Sequence, residues 1–127
     1  MSRTKSGRGM GAMETAKGRC RTDECFLLLA LRKLGGTWKL LLLRELWDRP
    51  RRFRDLRKAL PRISSTSLAR VLKELEGDGF ISRTVNGTRP PEVTYALLYN
   101  DPDLRKVIDH LTRWGRQHTQ RTIARKP

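Results

Sequence analysis

Apolar residues occupy the middle of the chain, between Cys25 and Trp114, while both ends are polar. In the first part of that stretch they recur with the spacing of helices, and after Gly79 they alternate with polar residues as in β-strands. A helical spacing returns from Leu104 onward. The pattern therefore predicts several helices, a short β-hairpin and one last helix.

The first three predicted helices precede residue 61. One begins near Thr22, which can cap it, and its segment Cys25–Leu31 is apolar on nearly every side. A helix of that kind is buried all round, so we expect one face to meet its own core and another to meet a second subunit. Thr37 is predicted to cap the second helix, Trp38–Trp47, and the third is Phe53–Leu60.

A fourth helix, Ser65–Glu76, is predicted after a cap at Ser64. Its apolar residues follow the i, i+3, i+4, i+7 spacing of a half-buried helix: Leu68, Val71, Leu72 and Leu75. Two strands, Phe80–Val85 and Val93–Leu97, are predicted next, with Asn86 and Gly87 in the turn between them. The segment Asn100–Asp103 then opens the last helix. That helix carries one apolar stripe: Leu104, Val107, Ile108, Leu111 and Trp114.

Helix, break, helix and hairpin in this order predict a winged helix-turn-helix. The fold class is mainly α with a small antiparallel β-hairpin, an α+β arrangement. The chain has 127 residues, which fits one domain. We expect a disordered basic arm over residues 1–19, the domain itself over residues 20–115, and a second basic tail over residues 116–127.

The formal net charge is +15, from 28 Lys and Arg against 13 Asp and Glu. Such an excess favours a polyanionic partner, and nucleic acid comes first because each neutralised phosphate releases counterions. The longest apolar runs, Phe26–Leu31 and Leu40–Leu43, are far too short to span a membrane. No apolar stretch follows the basic N-terminus as in a secretory signal, and two cysteines make no disulfide framework. We therefore expect a cytoplasmic protein.

The helix after the break is predicted to enter the major groove of double-stranded DNA. Its candidate DNA-binding residues are Ser65, Thr66, Ser67, Arg70 and Lys73. Arg70 suits a bidentate contact with guanine, and Arg89 at the hairpin tip suits the DNA backbone or minor groove. The candidates for backbone and wing contacts are Arg51, Arg52, Arg54, Arg83, Asn86, Thr88 and Arg89, and Arg49, Arg57 and Lys58 add to the basic surroundings.

The chain also resembles the HxlR-type regulators, a winged-helix family related to the MarR proteins. The likeness is carried by Leu34–Trp38, Arg51–Leu56, Ile63–Ser64 with Leu72–Glu76, and Pro90–Tyr95, in that order and spacing. The resemblance implies a cytoplasmic homodimer in which the first and last helices form the subunit contact. It also implies a pseudo-palindromic operator with half-sites about one helical turn, roughly 10 bp, apart.

Cys25 lies where many of these regulators carry a cysteine. The resemblance implies a thiol that senses oxidants or electrophiles, which it does in some relatives, often through a disulfide between subunits. The alternative is a buried cysteine that acts as a small apolar residue. Cys20, directly after the predicted arm, is either a resolving partner or an inert thiol.

Other classes of function find less support. His110 and His118 have no matching ligands nearby, so we expect no metal site, and the chain offers no phosphate loop or serine elbow. We expect neither an enzyme nor a cofactor, and no small-molecule effector is defined. The rival class is a nucleoid-associated or RNA-binding protein without sequence specificity, which the +15 charge also suits. The ratio of the affinity for a specific site to the affinity for random DNA separates this class from a sequence-specific regulator.

Overall fold

The computed structural model describes residues 21–125, so the predicted arm and Cys20 lie outside the described residues. Within this range the chain forms five helices and three strands. The helices are α1 (Asp23–Leu34), α2 (Lys39–Glu45), α3 (Phe53–Ala59), α4 (Ser65–Gly77) and α5 (Pro102–Arg125). The strands are β1 (Arg51–Arg52), β2 (Ile81–Asn86) and β3 (Glu92–Leu97). None of these helices is long and apolar enough to cross a bilayer.

Helix α1 begins as predicted, because the Thr22 hydroxyl accepts a hydrogen bond from the Cys25 N–H at 3.1 Å. It buries none of its residues. Four of its large apolar side chains are about half exposed or more, namely Phe26, Leu27, Leu28 and Leu31. The expectation that one face of this helix meets the chain's own core stays a prediction. An apolar pattern does not distinguish burial within a chain from burial by a second molecule.

The hydrophobic core lies in residues 37–125, where leucines of α2, α3 and α4 pack together with Ile81 and Tyr95 of the sheet. All four predicted apolar residues of α4 are buried, and Ser64 caps this helix by accepting from the Ser67 N–H at 3.1 Å. The predicted Thr37 cap of α2 is wrong. The capping position belongs to Trp38, whose backbone is already helical and whose side chain makes no capping hydrogen bond.

The sheet has one strand more than predicted. Its order is β1–β3–β2, with both pairs antiparallel. Arg51 lies opposite Tyr95 and Arg52 lies opposite Thr94, so β1 borders the predicted hairpin. A strand of two residues is too short for alternation to reveal it in the sequence.

Helix α5 starts at Pro102 after the Asp101 carboxylate, which accepts from the N–H groups of Asp103 at 3.0 Å and Leu104 at 3.3 Å. It continues to Arg125, so the predicted tail is helical from residue 116 to 125. Ile108 is the buried residue of its apolar stripe, and the Arg105 guanidinium lies 5.6 Å from the ring centre of Trp47 in the turn after α2.

Three members of the α5 stripe are about half exposed, namely Val107, Leu111 and Trp114. The stripe thus divides into a part that anchors α5 on the domain core and a part that the single chain leaves in solvent.

Candidate nucleic-acid interface

Helix α4 presents a polar face opposite its buried apolar stripe. Thr66, Arg70 and Lys73 are spaced four and three residues apart, so they share one side of the helix, and all three are exposed. The helix has 13 residues and is about 20 Å long. Its diameter suits the major groove, which is roughly 12 Å wide.

The predicted base-reading residue, Arg70, pairs with one carboxylate, which also contacts α2. The Arg70 guanidinium lies 3.3 Å from the Glu74 carboxylate one turn further along α4. The same carboxylate lies 3.5 Å from the Lys39 ammonium at the start of α2. Arg70 is well exposed, with 61% of its side-chain surface in solvent, so the pair costs little to open. Arg70 is therefore restrained and still accessible.

The first turn of α4 is joined to α3 by a side-chain hydrogen bond. The Arg57 guanidinium donates to the Ser65 hydroxyl, so this predicted DNA contact is already engaged within the protein. Ser67 is half-buried and its N–H belongs to the Ser64 cap. Thr66 is the fully exposed hydroxyl of the turn that has no side-chain partner among residues 21–125. A basic side chain of α3 is thereby placed beside the start of α4.

The strand register separates the predicted arginines onto two faces of the sheet, because neighbouring residues of a strand point to opposite sides. Arg52 shares a face with Glu92 and Asn86, whereas Arg51 and Arg83 share the opposite face, on which both are paired with Tyr95. The wing candidates Arg83 and Asn86 therefore point away from each other.

Arg51 has a structural role. Its Nε donates to the Glu45 carbonyl oxygen at 2.9 Å, and its guanidinium lies 3.8 Å from the Glu45 carboxylate. Only 22% of the Arg51 side-chain surface is exposed. This arginine joins β1 to the end of α2, so its guanidinium is engaged within the protein.

Arg52 and Arg54 meet at one carboxylate. The Oε2 atom of Glu92 lies 3.1 Å from Nη1 of Arg52 and 3.9 Å from Nη2 of Arg54. All three side chains are at least partly exposed to solvent. Glu92 is also the backbone partner of Asn86, so the cluster lies at the end of the hairpin ladder that borders the wing turn.

The wing tip is exposed. Asn86, Thr88 and Arg89 all have exposed side chains. Gly87 has a φ of +76°, a conformation that glycine adopts without steric cost. The turn can therefore project Arg89 away from the body of the domain.

Sequence reasoning missed three features of this surface: the Glu92 cluster, the Glu74 contacts and the bond between Arg57 and Ser65. The spacing of Arg70 and Glu74 by four residues could have revealed their pair. The other two join separate elements, and no local pattern predicts them. Between residues 21 and 125, no three His, Cys, Asp or Glu side chains are grouped so as to hold a metal ion.

A helix-turn-helix with an exposed polar face on its second helix, followed by an exposed two-stranded wing, defines a winged-helix DNA-binding protein. The chain belongs to the HxlR-like helix-turn-helix family, whose model matches residues 33–123. It is an HTH-type transcriptional regulator, as the resemblance implied, and the predicted fold class is confirmed.

Relatives and solved structures agree with this assignment. The chain is 39% identical over 99 residues to the HTH-type transcriptional regulator YdeP of Bacillus subtilis, covering 78% of this chain and 77% of the relative. It is similar to the redox regulator HypR in its reduced form, with a TM-score of 0.69 and 30% identity over 77% of this chain and 97% of HypR. The reduced form of YodB from Bacillus subtilis gives a TM-score of 0.62 and 31% identity over 76% and 94% of the two chains.

Proposed function

We propose that this protein binds a pseudo-palindromic operator in double-stranded DNA as a cytoplasmic homodimer and so regulates transcription of nearby genes. The observation that carries the proposal is the polar face of α4, on which Thr66, Arg70 and Lys73 lie opposite a fully buried apolar stripe. A helix seated in this way on a rigid core can lie in the major groove without rearrangement.

The contacts divide into base reading and backbone binding. Arg70 reads a guanine through its two-pronged guanidinium, and Thr66 and Lys73 contact the adjoining base edges or phosphates. Arg52 and Arg54 bind phosphates beside the groove. The exposed wing residues bind the neighbouring backbone or minor groove: Asn86, Thr88 and Arg89, with Arg83 on the other side of the hairpin.

The homodimer is supported by apolar surface that the single chain leaves exposed. Helix α1 exposes four large apolar side chains, and α5 exposes Val107, Leu111 and Trp114. Exposed apolar side chains grouped on one helix in this way mark sites of association. A second copy is the natural partner, because a two-fold dimer places two α4 helices on the two halves of a palindromic site.

Footprinting of the DNA upstream of this protein's own gene, at several salt concentrations, tests the proposal. We expect a protected site with two-fold symmetry and a preference over random duplex of about a thousandfold or more. A protein that packages DNA without sequence preference would bind the upstream site and random duplex with almost equal affinity. Preference for single-stranded RNA or A-form helices would identify an RNA-binding protein instead. Either result would refute operator binding.

Replacement of Arg89 by alanine is expected to weaken binding to all duplexes about equally, because a wing arginine on the backbone carries no sequence information. The slope of log affinity against log salt should flatten by about one unit, the value of one phosphate contact. Arg113→Ala is the matched control, since it removes the same charge from an exposed position on α5. An unchanged slope in Arg89→Ala would place the wing away from DNA.

We further propose that the redox state of Cys25 controls DNA affinity. Cys25 lies in the first turn of α1 and is half-buried, whereas the apolar alternative requires a fully buried side chain. The other cysteine of the chain, Cys20, lies outside the described residues. HypR is known in a reduced and an oxidised form, and YodB in a reduced and a diamide-treated form. A thiol–disulfide switch at α1 would act on a helix that we assign to the dimer.

Diamide, which oxidises two thiols to a disulfide, is expected to change the operator affinity of the wild type and to leave that of Cys25→Ser unchanged. The measurement is a titration of operator binding before and after diamide, with dithiothreitol to reverse the effect. Cys20→Ser distinguishes a disulfide between Cys20 and Cys25 from a disulfide between subunits. Loss of the response in this variant indicates a bond between Cys20 and Cys25, and a retained response with a covalent dimer indicates a bond between subunits. Equal responses of Cys25→Ser and wild type would end the redox proposal.

A further inference from the structure

We propose that Glu92 is an internal competitor of DNA phosphate. Its carboxylate holds Arg52 and Arg54 in the free protein, and DNA must displace it before these arginines bind the backbone. Glu92 therefore lowers the affinity of the protein for every duplex. The inference rests on the proposed DNA binding and assigns a regulatory residue to the same surface.

The geometry brings one acid to two arginines. Arg52 lies opposite Thr94 in the antiparallel pair of β1 and β3, so Glu92, two residues before Thr94, is its diagonal neighbour on the same face. Arg54 lies in the first turn of α3, which follows β1 without a break. One carboxylate oxygen, Oε2, then lies within ion-pair distance of both guanidiniums.

A carboxylate and a phosphate offer the guanidinium the same chemistry. Both present anionic oxygens that accept N–H bonds from the arginine fork. Side-chain exposure is 49% for Arg52, 67% for Arg54 and 42% for Glu92, so a phosphate can approach both arginines from solvent. Water screens ion pairs this exposed, and each is weak enough for DNA to displace.

The ion pair formed by Arg51 and Glu45 differs from the Glu92 pairs, because it is largely buried and structural. There the acid is 18% exposed and the arginine 22%, and the arginine also donates to a main-chain carbonyl. That pair joins two elements of the fold. The Glu92 pairs join side chains that face solvent, so their loss leaves the packing of the core unchanged and acts on the charge offered to DNA.

Such a competitor suits a chain with a net charge of +15. Each additional arginine on phosphate strengthens binding to all sequences and adds about 0.9 to the salt slope. Two arginines that share one carboxylate present a single net positive charge. Without Glu92 they present two, and the protein would spend more time on random DNA.

The test compares Glu92→Gln with Asp109→Asn, using a fluorescein-labelled duplex of mixed sequence and fluorescence anisotropy over a series of potassium chloride concentrations. Both variants raise the net charge by one. Asp109 is exposed on α5, on the side away from the apolar stripe, and its carboxylate makes no ion pair within residues 21–125. We expect Glu92→Gln to bind about three- to tenfold more tightly and to steepen the salt slope by about one unit. Asp109→Asn should change affinity less than about twofold, with no change of slope.

A second comparison ties the effect to the arginines. In a background with Arg52→Gln and Arg54→Gln, Glu92→Gln should lose its effect on affinity and slope, because no guanidinium remains to be released. A gain that persists in this background overturns the proposal, and so does a Glu92→Gln variant that binds like Asp109→Asn or more weakly than wild type. If the wild type itself binds no duplex at low salt, the proposed DNA binding fails as well. The two failures are thereby distinguished.

Discussion

Leu111→Glu is expected to convert the dimer to a monomer and to lower operator affinity by about a hundredfold or more. Leu111 is 51% exposed in the single chain, so a glutamate there leaves the monomer core intact. In a subunit interface the same carboxylate would be desolvated without a partner, at a cost of several kcal/mol. A monomer binds only one half-site and loses the gain in affinity that comes from binding two half-sites at once.

Light scattering after size-exclusion chromatography gives the mass, and anisotropy on the footprinted operator gives the affinity. Lys106→Gln is the matched control, because it lowers the net charge by the same unit from the side of α5 opposite the apolar stripe. This control should remain a dimer with nearly wild-type affinity. A dimeric Leu111→Glu with normal operator binding would show that the exposed stripe of α5 is not the subunit contact.

The second large effect is expected at Arg70. Arg70→Ala should cost about 1–3 kcal/mol on the operator and relax the preference at one base pair, with a much smaller loss on random duplex. The fold should be preserved, because the exposed pair with Glu74 contributes at most about 1 kcal/mol and Glu74 keeps its contact with Lys39.

Arg70→Lys makes this test sharper. Lysine retains the charge and loses the planar fork that binds guanine bidentately. It should therefore lose the base preference as alanine does, while its salt slope stays near that of the wild type. Binding to operators substituted at single base pairs measures the preference directly. If Arg70→Ala and Arg89→Ala behave alike on all duplexes, the division between base reading and backbone binding is wrong.

Much of the domain could be predicted from the sequence, since its signals are local. The i, i+3, i+4, i+7 spacing of α4 identified its buried side, and the positions of Thr22 and Ser64 identified two helix starts. These features depend on a few neighbouring residues, which a single sequence displays. Strand β1 and the start of α2 were missed, because one is too short for a pattern and the other lacks a capping side chain.

The candidate site was predicted as a list of residues and not as an arrangement. Arg51, Arg52 and Arg54 look alike in the sequence, yet one joins the sheet to α2 and the other two share Glu92. Ser65 also looked free and is engaged by Arg57. Contacts between separate elements depend on strand register and on how α3 docks, and no periodicity encodes either.

The sequence by itself determined the family, the order of elements and the side of α4 that faces outward, because each follows from residue type and spacing along the chain. Only the tertiary structure decided which basic side chains are available to DNA. A guanidinium is engaged or available according to the carboxylates that folding brings near it. Glu45 and Glu92, which decide this for three arginines, reach them across separate elements.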